Sequence, residues 1–345
     1  MKLNLSGVYL EITSYCNRKC PYCYNDSNES GTYLDKHLIY KVIDECVSKK
    51  IEQITISGGE PFLHPNAHEI ISYINAKGLK AKIITNLTVL PIDRAVELLR
   101  QGNYLQITID SICPEKNDLT RGKGSFYLVE CLLKKASEYN IYSQIHLRMN
   151  VSRNNSDEIL RYIEFAKKYK LKQAAAMLIV KSGRGQGYEA AYDYKESMLE
   201  ISALIEKLAQ IKENCKGDFD FSYSNLQDQR GCAIFSNDDI SSVPRIDADG
   251  NVYFCSFFMG EENCLGNISD ACVEETLNSK KARDFILRVR KRKDNIKCKK
   301  CMFSMFCMCG CPAVSYMHAS SLNEISDQCS LIKFFLKQKL LGKIE

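Results

Sequence analysis

The sequence has 345 residues, of which 45% are hydrophobic and 26% charged, values that are ordinary for a globular protein. This length suits either one large α/β unit or two domains. The net charge of +5 is mild and the basic residues are not interleaved with aromatic ones, which argues against a nucleic-acid-binding protein. The sequence has no signal-peptide pattern, which would indicate export, and no apolar stretch of about 20 residues, which would indicate membrane insertion.

Cysteine is the outlier in this composition, with 17 residues that concentrate near 16–23 and 298–311. Secreted disulfide scaffolds are short and rich in cysteine throughout. Clustered thiols in a longer chain without an export signal indicate metal centres instead. We therefore expect a cytoplasmic protein that holds metal clusters in a reducing compartment.

The first predicted strand, over 8–13, leads directly into Cys16, Cys20 and Cys23 with the spacing C-x₃-C-x₂-C. Three thiolates can hold three corners of a four-iron cluster, and because the segment offers no fourth, one iron is left open for chemistry. A structural zinc site pairs its ligands and closes all four positions, so zinc is the weaker interpretation. Ordinary core cysteines are weaker still, because polar residues lie between the thiols.

Strands and helices alternate through the following 200 residues. The predicted helices cover 34–49, 68–76, 92–100, 126–138, 156–168 and 195–212, and the predicted strands cover 51–57, 79–85, 104–109, 142–150 and 173–180. Six such βα units predict an α/β fold, a partial (β/α)₆ TIM-like barrel with its working face at the carboxyl ends of the strands. The polar residues expected to converge there are Cys16, Gly58, Asn86, Asp110 and Asn150.

A polar break at 213–218 marks a predicted domain boundary. It divides the chain into a barrel over 1–215, a bridging and cysteine-rich region over 216–330, and a helical tail over 331–345. Within the second part, 243–255 is typical of a β-hairpin with Asp249 and Gly250 at its turn. A second group of cysteines follows with the spacing C-x₂-C-x₅-C-x₃-C and one distant member: Cys298, Cys301, Cys307, Cys311 and Cys329.

The first motif, with the aromatic Tyr24 after it and Gly58-Gly59-Glu60-Pro61 after the next strand, resembles the signature of the radical S-adenosylmethionine (SAM) superfamily. The resemblance covers residues 5–215 and implies the same partial barrel. It implies that Cys16, Cys20 and Cys23 bind a [4Fe-4S] cluster whose fourth iron binds SAM. Such a cluster, once reduced, cleaves SAM to methionine and a 5′-deoxyadenosyl radical that abstracts hydrogen.

The resemblance also implies a set of SAM contacts. Glycines let the backbone approach a ligand closely, and Glu60 or nearby carbonyl groups can accept hydrogen bonds from the SAM ammonium. The SAM-binding residues so implied are Tyr22, Gly58, Gly59, Glu60, Pro61, Asn86, Thr108, Asp110, Arg121 and Asn150. For the polar residues outside the glycine motif, helix caps and turns are the alternative interpretation.

The second cysteine group resembles the SPASM extension of radical SAM enzymes, with Cys232 and the G-x₄-C of Gly250 to Cys255 as further parts of it. This resemblance implies two auxiliary [4Fe-4S] clusters and thus three clusters in all. The implied ligands are Cys298, Cys301, Cys307 and Cys329 for one cluster, and Cys232, Cys255 and Cys311 for the other, with Cys264 or an open site as its fourth position. A zinc ribbon is the structural alternative. Cys309 is a candidate alternative ligand, reactive thiol or redox donor.

Relatives with this extension commonly crosslink or oxidise peptides and proteins, so the resemblance implies a peptide or protein substrate. An auxiliary cluster offers a sink for the electron left after hydrogen abstraction, which suits a net oxidation. Ser256 stands where sulfatase-maturing relatives typically have Asp, which disfavours that reaction. The alternatives are an oxidative decarboxylase of a tetrapyrrole or other small acid, and a non-catalytic iron–sulfur electron-transfer protein.

The partners follow from the same resemblance. Only 15 residues precede Cys16, too few for the winged-helix module that grips a leader peptide in many relatives. We therefore expect direct engagement of the substrate or a separate leader-peptide recognition protein, with flavodoxin or ferredoxin as reductant. The basic stretch 288–293 is expected to be a solvated helix end, with contact to an anionic group or a leader peptide as the alternative.

Overall fold

The structure is a computed structural model that describes residues 2–341 except 195, 218, 224–231, 233, 235–239, 308, 320, 323, 326 and 327. In it, the strands are β1 (Leu3–Leu5), β2 (Tyr9–Thr13), β3 (Gln53–Gly58), β4 (Lys80–Ile84), β5 (Tyr104–Thr108), β6 (Ile145–Val151), β7 (Gln173–Leu178), β8 (Asp220–Tyr223), β9 (Ile240–Ser242), β10 (Arg245–Ile246), β11 (Asn251–Tyr253) and β12 (Gly266–Asn267). The helices are α1 (Lys36–Ser48), α2 (Ala67–Ala76), α3 (Ile92–Arg100), α4 (Pro114–Arg121), α5 (Ser125–Glu138), α6 (Ile159–Lys168), α7 (Met198–Asn214), α8 (Val273–Leu277), α9 (Lys280–Arg290), α10 (Ile296–Lys299), α11 (Ser304–Cys307), α12 (Pro312–Ala319) and α13 (Cys329–Leu340).

The first part of the chain forms the predicted partial barrel. Strands β2 to β8 are all parallel and pair in chain order. At least one helix separates each strand from the next along the chain, as parallel pairing requires. The predicted α/β class and TIM-like barrel are confirmed, and β8 adds a seventh parallel strand to the six that the periodicity indicated.

Side-chain alternation gives the barrel two different surfaces. Along β6, Ile145, Leu147, Met149 and Val151 are buried, whereas the residues between them are only partly buried. The helices carry the matching apolar faces: α1, capped by Asp35, buries Ile39, Val42, Ile43 and Cys46. Each such buried aliphatic side chain contributes about 1.5–3 kcal/mol to folding. The polar residues of the strands are thereby left on the inner side of the barrel.

The cysteine-rich part extends the same sheet. Strand β10 pairs in parallel with β2, Arg245 opposite Tyr9, and β11 and β12 follow as antiparallel neighbours. The predicted hairpin is present, with the Asp247 side chain accepting from the backbone of its turn and Gly250 at a φ of +83°. The sheet therefore runs across the proposed boundary near residue 215, and the division into domains stays a prediction.

Several element bounds differ from the sequence expectations for local reasons. Residues 142–144 form a 3₁₀ turn, so β6 begins at Ile145. Helix α4, absent from the prediction, has Pro114 in its first turn, where the missing N–H costs nothing, and ends at Arg121 with Gly122 as its C-cap. Helix α7 begins at Met198 rather than at 195.

Among the described residues, none of the helices is both long and apolar enough to span a lipid bilayer.

Candidate active site

The N-terminal thiols lie in a loop that begins at the carboxyl end of β2. The loop folds back through bridges between Thr13 and Tyr33 and between Tyr15 and Asn28. Burial is the main cause that raises the pKa of the Cys16 thiol to about 11, and the nearby Glu60, Cys20 and Cys23 contribute to the same increase. The three thiols predicted to act together are therefore close neighbours, and a bound cation would be needed to keep Cys16 as a thiolate.

Arg184, which the sequence reasoning missed, lies after β7 and contacts this loop. Arg184 donates from Nε to the Cys20 carbonyl (2.9 Å) and from its backbone N–H to the Cys23 carbonyl (3.0 Å). Its Nη1 also pairs with Asp26 at 2.7 Å. The glycine-rich run 183–187 around it was the available signal: a Cβ on Gly183 would lie 2.6 Å from the Cys23 carbonyl oxygen.

The glycine motif brings the backbone of β3 against the cysteine loop. A Cβ on Gly58 would lie 2.0 Å from the Thr13 carbonyl oxygen, and one on Gly59 would lie 2.0 Å from the Tyr15 carbonyl oxygen. Gly58 also has a φ of +135°, which side chains disfavour. Glycine is thus required at both positions for packing onto the thiol loop.

Glu60 is completely buried and turned into the protein. Its two carboxylate oxygens accept from Thr85 Oγ1 (2.8 Å) and from the Asn86 backbone N–H (2.7 Å). Burial raises its pKa to about 7. Glu60 thereby holds the 85–86 turn, and the SAM-ammonium contact of Glu60 or of nearby carbonyl groups stays a prediction.

Two of the predicted residues approach the thiols directly. Asn86 Nδ2 lies 3.9 Å from Cys16 Sγ, and Arg121 Nη1 lies 3.5 Å from Cys20 Sγ. Hydrogen bonds and positive charge on ligand sulfurs stabilise the anionic form and tune an iron–sulfur cluster. Arg121 and Asn86 therefore suit a cluster site as well as a cofactor site.

Three other predicted residues form one hydrogen-bonded group. Tyr22 donates to Asp110, which also accepts from Thr120 Oγ1 (2.9 Å) and from the Asn150 backbone N–H (3.1 Å). The group lines a cavity of about 360 Å³ at the carboxyl ends of β5 and β6. Thr108 lies just before it at the end of β5, on the partly buried side of the strand, and Pro61 is buried at the start of a 3₁₀ turn.

A second cavity, of about 220 Å³, lies inside the barrel. Strands β2 to β6 contribute its polar lining, and Tyr22 and Asn150 also line the first cavity. On the other side it is bounded by Ser256 and Phe257, which follow Cys255. The interior of the barrel therefore extends from the first thiol loop to the cysteine-rich part.

The thiols predicted for one auxiliary site are neighbours in space. Burial raises the pKa of the Cys255 thiol to about 12, with Cys311 and Cys232 as further causes. Cys264, the candidate fourth ligand, instead donates from Sγ to the Gly266 carbonyl at 3.3 Å. Its ligand role stays a prediction.

The thiols predicted for the other auxiliary site line one cavity of about 660 Å³, together with Cys309: Cys298, Cys301, Cys307 and Cys329. This volume is in the range of ligand pockets. Cys309 has a φ of +65°, unusual for a residue other than glycine, and its side chain hydrogen-bonds Cys298. Five thiols thus surround the space in which the sequence placed four ligands.

Arg292 lies between the two auxiliary sites and was also missed by the sequence reasoning. Its guanidinium donates to the carbonyls of Gly310 (3.1 Å) and Cys309 (3.0 Å) and to Ser315 Oγ (2.6 Å). The nearby thiols include Cys311 of one site and Cys298 of the other. The stretch 288–293 is therefore not wholly a solvated helix end, because Arg292 is only 4% exposed.

The cysteine thiols at the three predicted sites are the type of ligand that iron–sulfur clusters use. All 17 cysteines are free thiols, and thiolates are the usual ligands of [4Fe-4S] clusters, one for each iron. No group of three or more His, Cys, Asp or Glu side chains in the described part of the chain is arranged around a single metal ion. Of the remaining cysteines, Cys46 is buried on the apolar face of α1.

Two protein-family models match the chain. The family model of the Radical SAM superfamily matches residues 10–166, and that of SPASM, an iron–sulfur cluster-binding domain, matches residues 241–302. Together the two matches cover more than half of the chain.

Three relatives of this chain have named functions. The mycofactocin maturase MftC of Mycolicibacterium smegmatis is 25% identical over 92% of this chain and 81% of its own length. The subtilosin biosynthesis protein AlbA of Bacillus subtilis is 34% identical over 43% of this chain and 34% of its own. An Fe-coproporphyrin III synthase of Methanosarcina barkeri is 28% identical over 60% of this chain and 52% of its own.

Two solved structures share the fold. The enzyme anSMEcpe, solved with bound AdoMet and a Cp18Cys peptide, superposes with a TM-score of 0.73 at 19% identity, covering 99% of this chain and 98% of that one. Streptococcus suis SuiB bound to S-adenosylmethionine gives a TM-score of 0.74 at 15% identity, covering 94% of this chain and 76% of that one.

Proposed function

Because the chain belongs to the radical SAM superfamily, carries a C-terminal SPASM domain and is related to peptide maturases, we propose that it oxidatively modifies a side chain of a peptide or protein. The modification would be a crosslink, a thioether or a side-chain oxidation. The observation that carries the proposal is the interior cavity, which reaches from the Cys16–Cys23 loop to Ser256 beside Cys255.

The cofactors proposed are SAM and three [4Fe-4S] clusters. The cluster held by Cys16, Cys20 and Cys23 would supply the electron that splits SAM into methionine and a hydrogen-abstracting 5′-deoxyadenosyl radical. The auxiliary clusters would be held by Cys298, Cys301, Cys307 and Cys329 and by Cys232, Cys255 and Cys311. Free thiols in all of these positions suit the reducing cytosol, with flavodoxin or ferredoxin as electron donor.

The chain's own residues would bind the cluster and SAM, orient the reacting side chain and shield it from water. Asn86 and Arg121 place a hydrogen-bond donor and a positive charge at two of the cluster thiols. Gly58 and Gly59 keep the backbone free of side chains next to the same loop. The barrel encloses the cavity so that the reacting side chain would be held apart from water, which prevents side reactions of a radical.

A second candidate function has one comparison in its favour. The Methanosarcina relative is an Fe-coproporphyrin III synthase, which favours oxidative decarboxylation of a tetrapyrrole or another small acid. The interior cavity of about 220 Å³ is smaller than the roughly 300–1,000 Å³ of ordinary small-molecule sites. It suits one side chain better than a whole tetrapyrrole, so the peptide is preferred.

Anaerobic turnover with peptides encoded beside this gene, read by mass spectrometry, tests the proposal. Loss of two hydrogens from a peptide would support crosslinking or oxidation, whereas loss of carbon dioxide would support the second candidate. Cys20→Ala should abolish formation of 5′-deoxyadenosine from SAM and dithionite while leaving iron at the C-terminal thiols. Cys131→Ala, which removes a thiol outside all three sites, is the matched control. Retained SAM cleavage in Cys20→Ala would overturn the assignment.

A further inference from the structure

The inner surface of the barrel carries two positive charges. Lys82 of β4 and Arg148 of β6 both line the cavity of about 220 Å³, on strands whose alternate residues pack against the helices. Parallel strands that are covered on both sides are normally apolar throughout. Two cations at such positions therefore need an explanation beyond the fold.

Neither cation has a counter-charge in the part of the chain that the structure describes. Lys82 has no hydrogen bond or ion pair there, and the guanidinium of Arg148 has a single bond, from Nε to Asn150 Oδ1 at 3.2 Å. Burial, and then Arg148, lower the pKa of Lys82. Buried charges are costly unless they are paired, so Lys82 and Arg148 together favour the binding of an anion.

The carboxylates on the neighbouring strands are already engaged. Glu11 pairs with Arg245 at 2.8 Å and accepts from Asn25, and Asp110 accepts from Tyr22 and Thr120. His146, two residues before Arg148 on β6, has a buried Nε2 with no hydrogen-bond partner among the residues that the structure describes. The positive charge of Lys82 and Arg148 is thus not balanced by the described side chains around them.

We propose that Lys82 and Arg148 bind a carboxylate of the substrate peptide and so select which peptide residue enters the barrel. The inference rests on the proposed function and names the substrate class of that site: a peptide with an acidic side chain or a free C-terminal carboxylate at or beside the modified residue. A guanidinium can bind a carboxylate through two parallel hydrogen bonds, and a lysine adds a compact charge. The cavity has room for one such group.

The test uses the full-length, anaerobically reconstituted enzyme loaded with SAM. Three hexapeptide pools serve as probes, identical in their randomised flanking positions. One pool has a central Glu and an amidated C-terminus, the second has Gln in place of Glu, and the third has Gln with a free C-terminal carboxylate. Mass spectrometry measures the fraction of each pool that the enzyme retains in equilibrium dialysis.

Wild-type enzyme is expected to retain at least one carboxylate pool about tenfold better than the Gln amide pool, and the better of the two identifies the source of the carboxylate. Lys82→Met/Arg148→Gln should reduce this ratio to about one. Lys82→Arg/Arg148→Lys, which keeps both charges, should preserve part of it. The control Lys41→Met/Arg161→Gln makes the same changes at two exposed positions and should leave the ratio unchanged.

SAM binding and peptide-independent SAM cleavage, measured on the same variants, separate this inference from the function on which it rests. Both should persist in Lys82→Met/Arg148→Gln, which also shows that the variant folds. Equal retention of all three pools by the wild type would overturn the carboxylate site while leaving radical chemistry intact. Loss of SAM binding in the variant would assign the two cations to the carboxylate of SAM itself and would also overturn the proposal.

Discussion

His146 shows how the barrel interior affects a single side chain. It projects from β6, and its ring meets Tyr104 edge-on at 5.6 Å between centroids. Burial, and then Lys82, lower its pKa to about 4, whereas a histidine in an unfolded chain ionises near 6.5. Between these values the unfolded chain binds a proton that the folded protein does not, so His146 makes stability fall as the pH decreases.

We expect His146→Gln to flatten this pH dependence. Wild-type stability should decrease between pH 7 and pH 5, and the variant should lose about 1–2 kcal/mol less over that range, after allowance for partial solvent screening. Anaerobic urea unfolding at the two pH values measures the difference. His37→Gln, at an exposed position on α1, is the control. Parallel pH profiles for wild type and His146→Gln would contradict the expectation.

At the residue scale, the sequence reasoning succeeded where function requires a motif. The thiol loop, Gly58 and Gly59 were found because their spacing is specific, and the structure brings them together. Lys82 and Arg148 were missed, because alternation along a strand does not say which side faces the interior. Arg184 was missed because it lies in the loop after β7 and its partners lie in the distant Cys16–Cys23 loop. Their contacts depend on strands and loops far apart in the chain.

The turn after β3 illustrates what one element contributes to the site. The expected result of Gly59→Ala is loss of iron at Cys16–Cys23 and of SAM binding, because its Cβ would meet backbone atoms of Tyr15 that cannot move without shifting the loop. Gly187→Ala is the matched control, since a Cβ there would lie more than 4 Å from the described atoms around it. Iron content and SAM affinity of anaerobically reconstituted protein provide the measurement. Normal loading of Gly59→Ala would contradict the packing argument.

Helices and strands with clear periodicity were predicted to within a few residues. Helix α3 covers Ile92–Arg100, as expected. Strand β8 and helix α4 were missed, since four and eight residues give too little periodicity to recognise. The short strand β10 was found only as part of its hairpin, through the Asp249-Gly250 turn.

At the scale of the whole molecule, a buried ion pair joins the two halves of the chain. Arg245 of β10 and Glu11 of β2 pair at 2.8 Å, with side chains only 8% and 5% exposed. Arg245→Met should lower the free energy of unfolding by about 3–5 kcal/mol, because it leaves Glu11 buried without its counter-charge. The double variant Glu11→Gln/Arg245→Met should recover part of the loss.

Urea unfolding of the single and double variants measures this coupling. The more exposed pair Lys36–Glu69, at 3.1 Å, is the comparison, and Lys36→Met should cost about 0–1 kcal/mol. If Arg245→Met costs no more than Lys36→Met, the two halves are not held together by this pair. No sequence pattern predicted the pairing, because 234 residues separate its members.

The direction of the strands has a consequence for electron flow. Cys16 follows the carboxyl end of β2, whereas Cys255 follows β11, which runs antiparallel to β2. The two thiols therefore leave the sheet at opposite ends, separated by a strand of five residues, about 17 Å. In the proposed enzyme the length of β2 would therefore set the spacing between the thiols that would hold the radical-generating cluster and those that would hold the electron-accepting one.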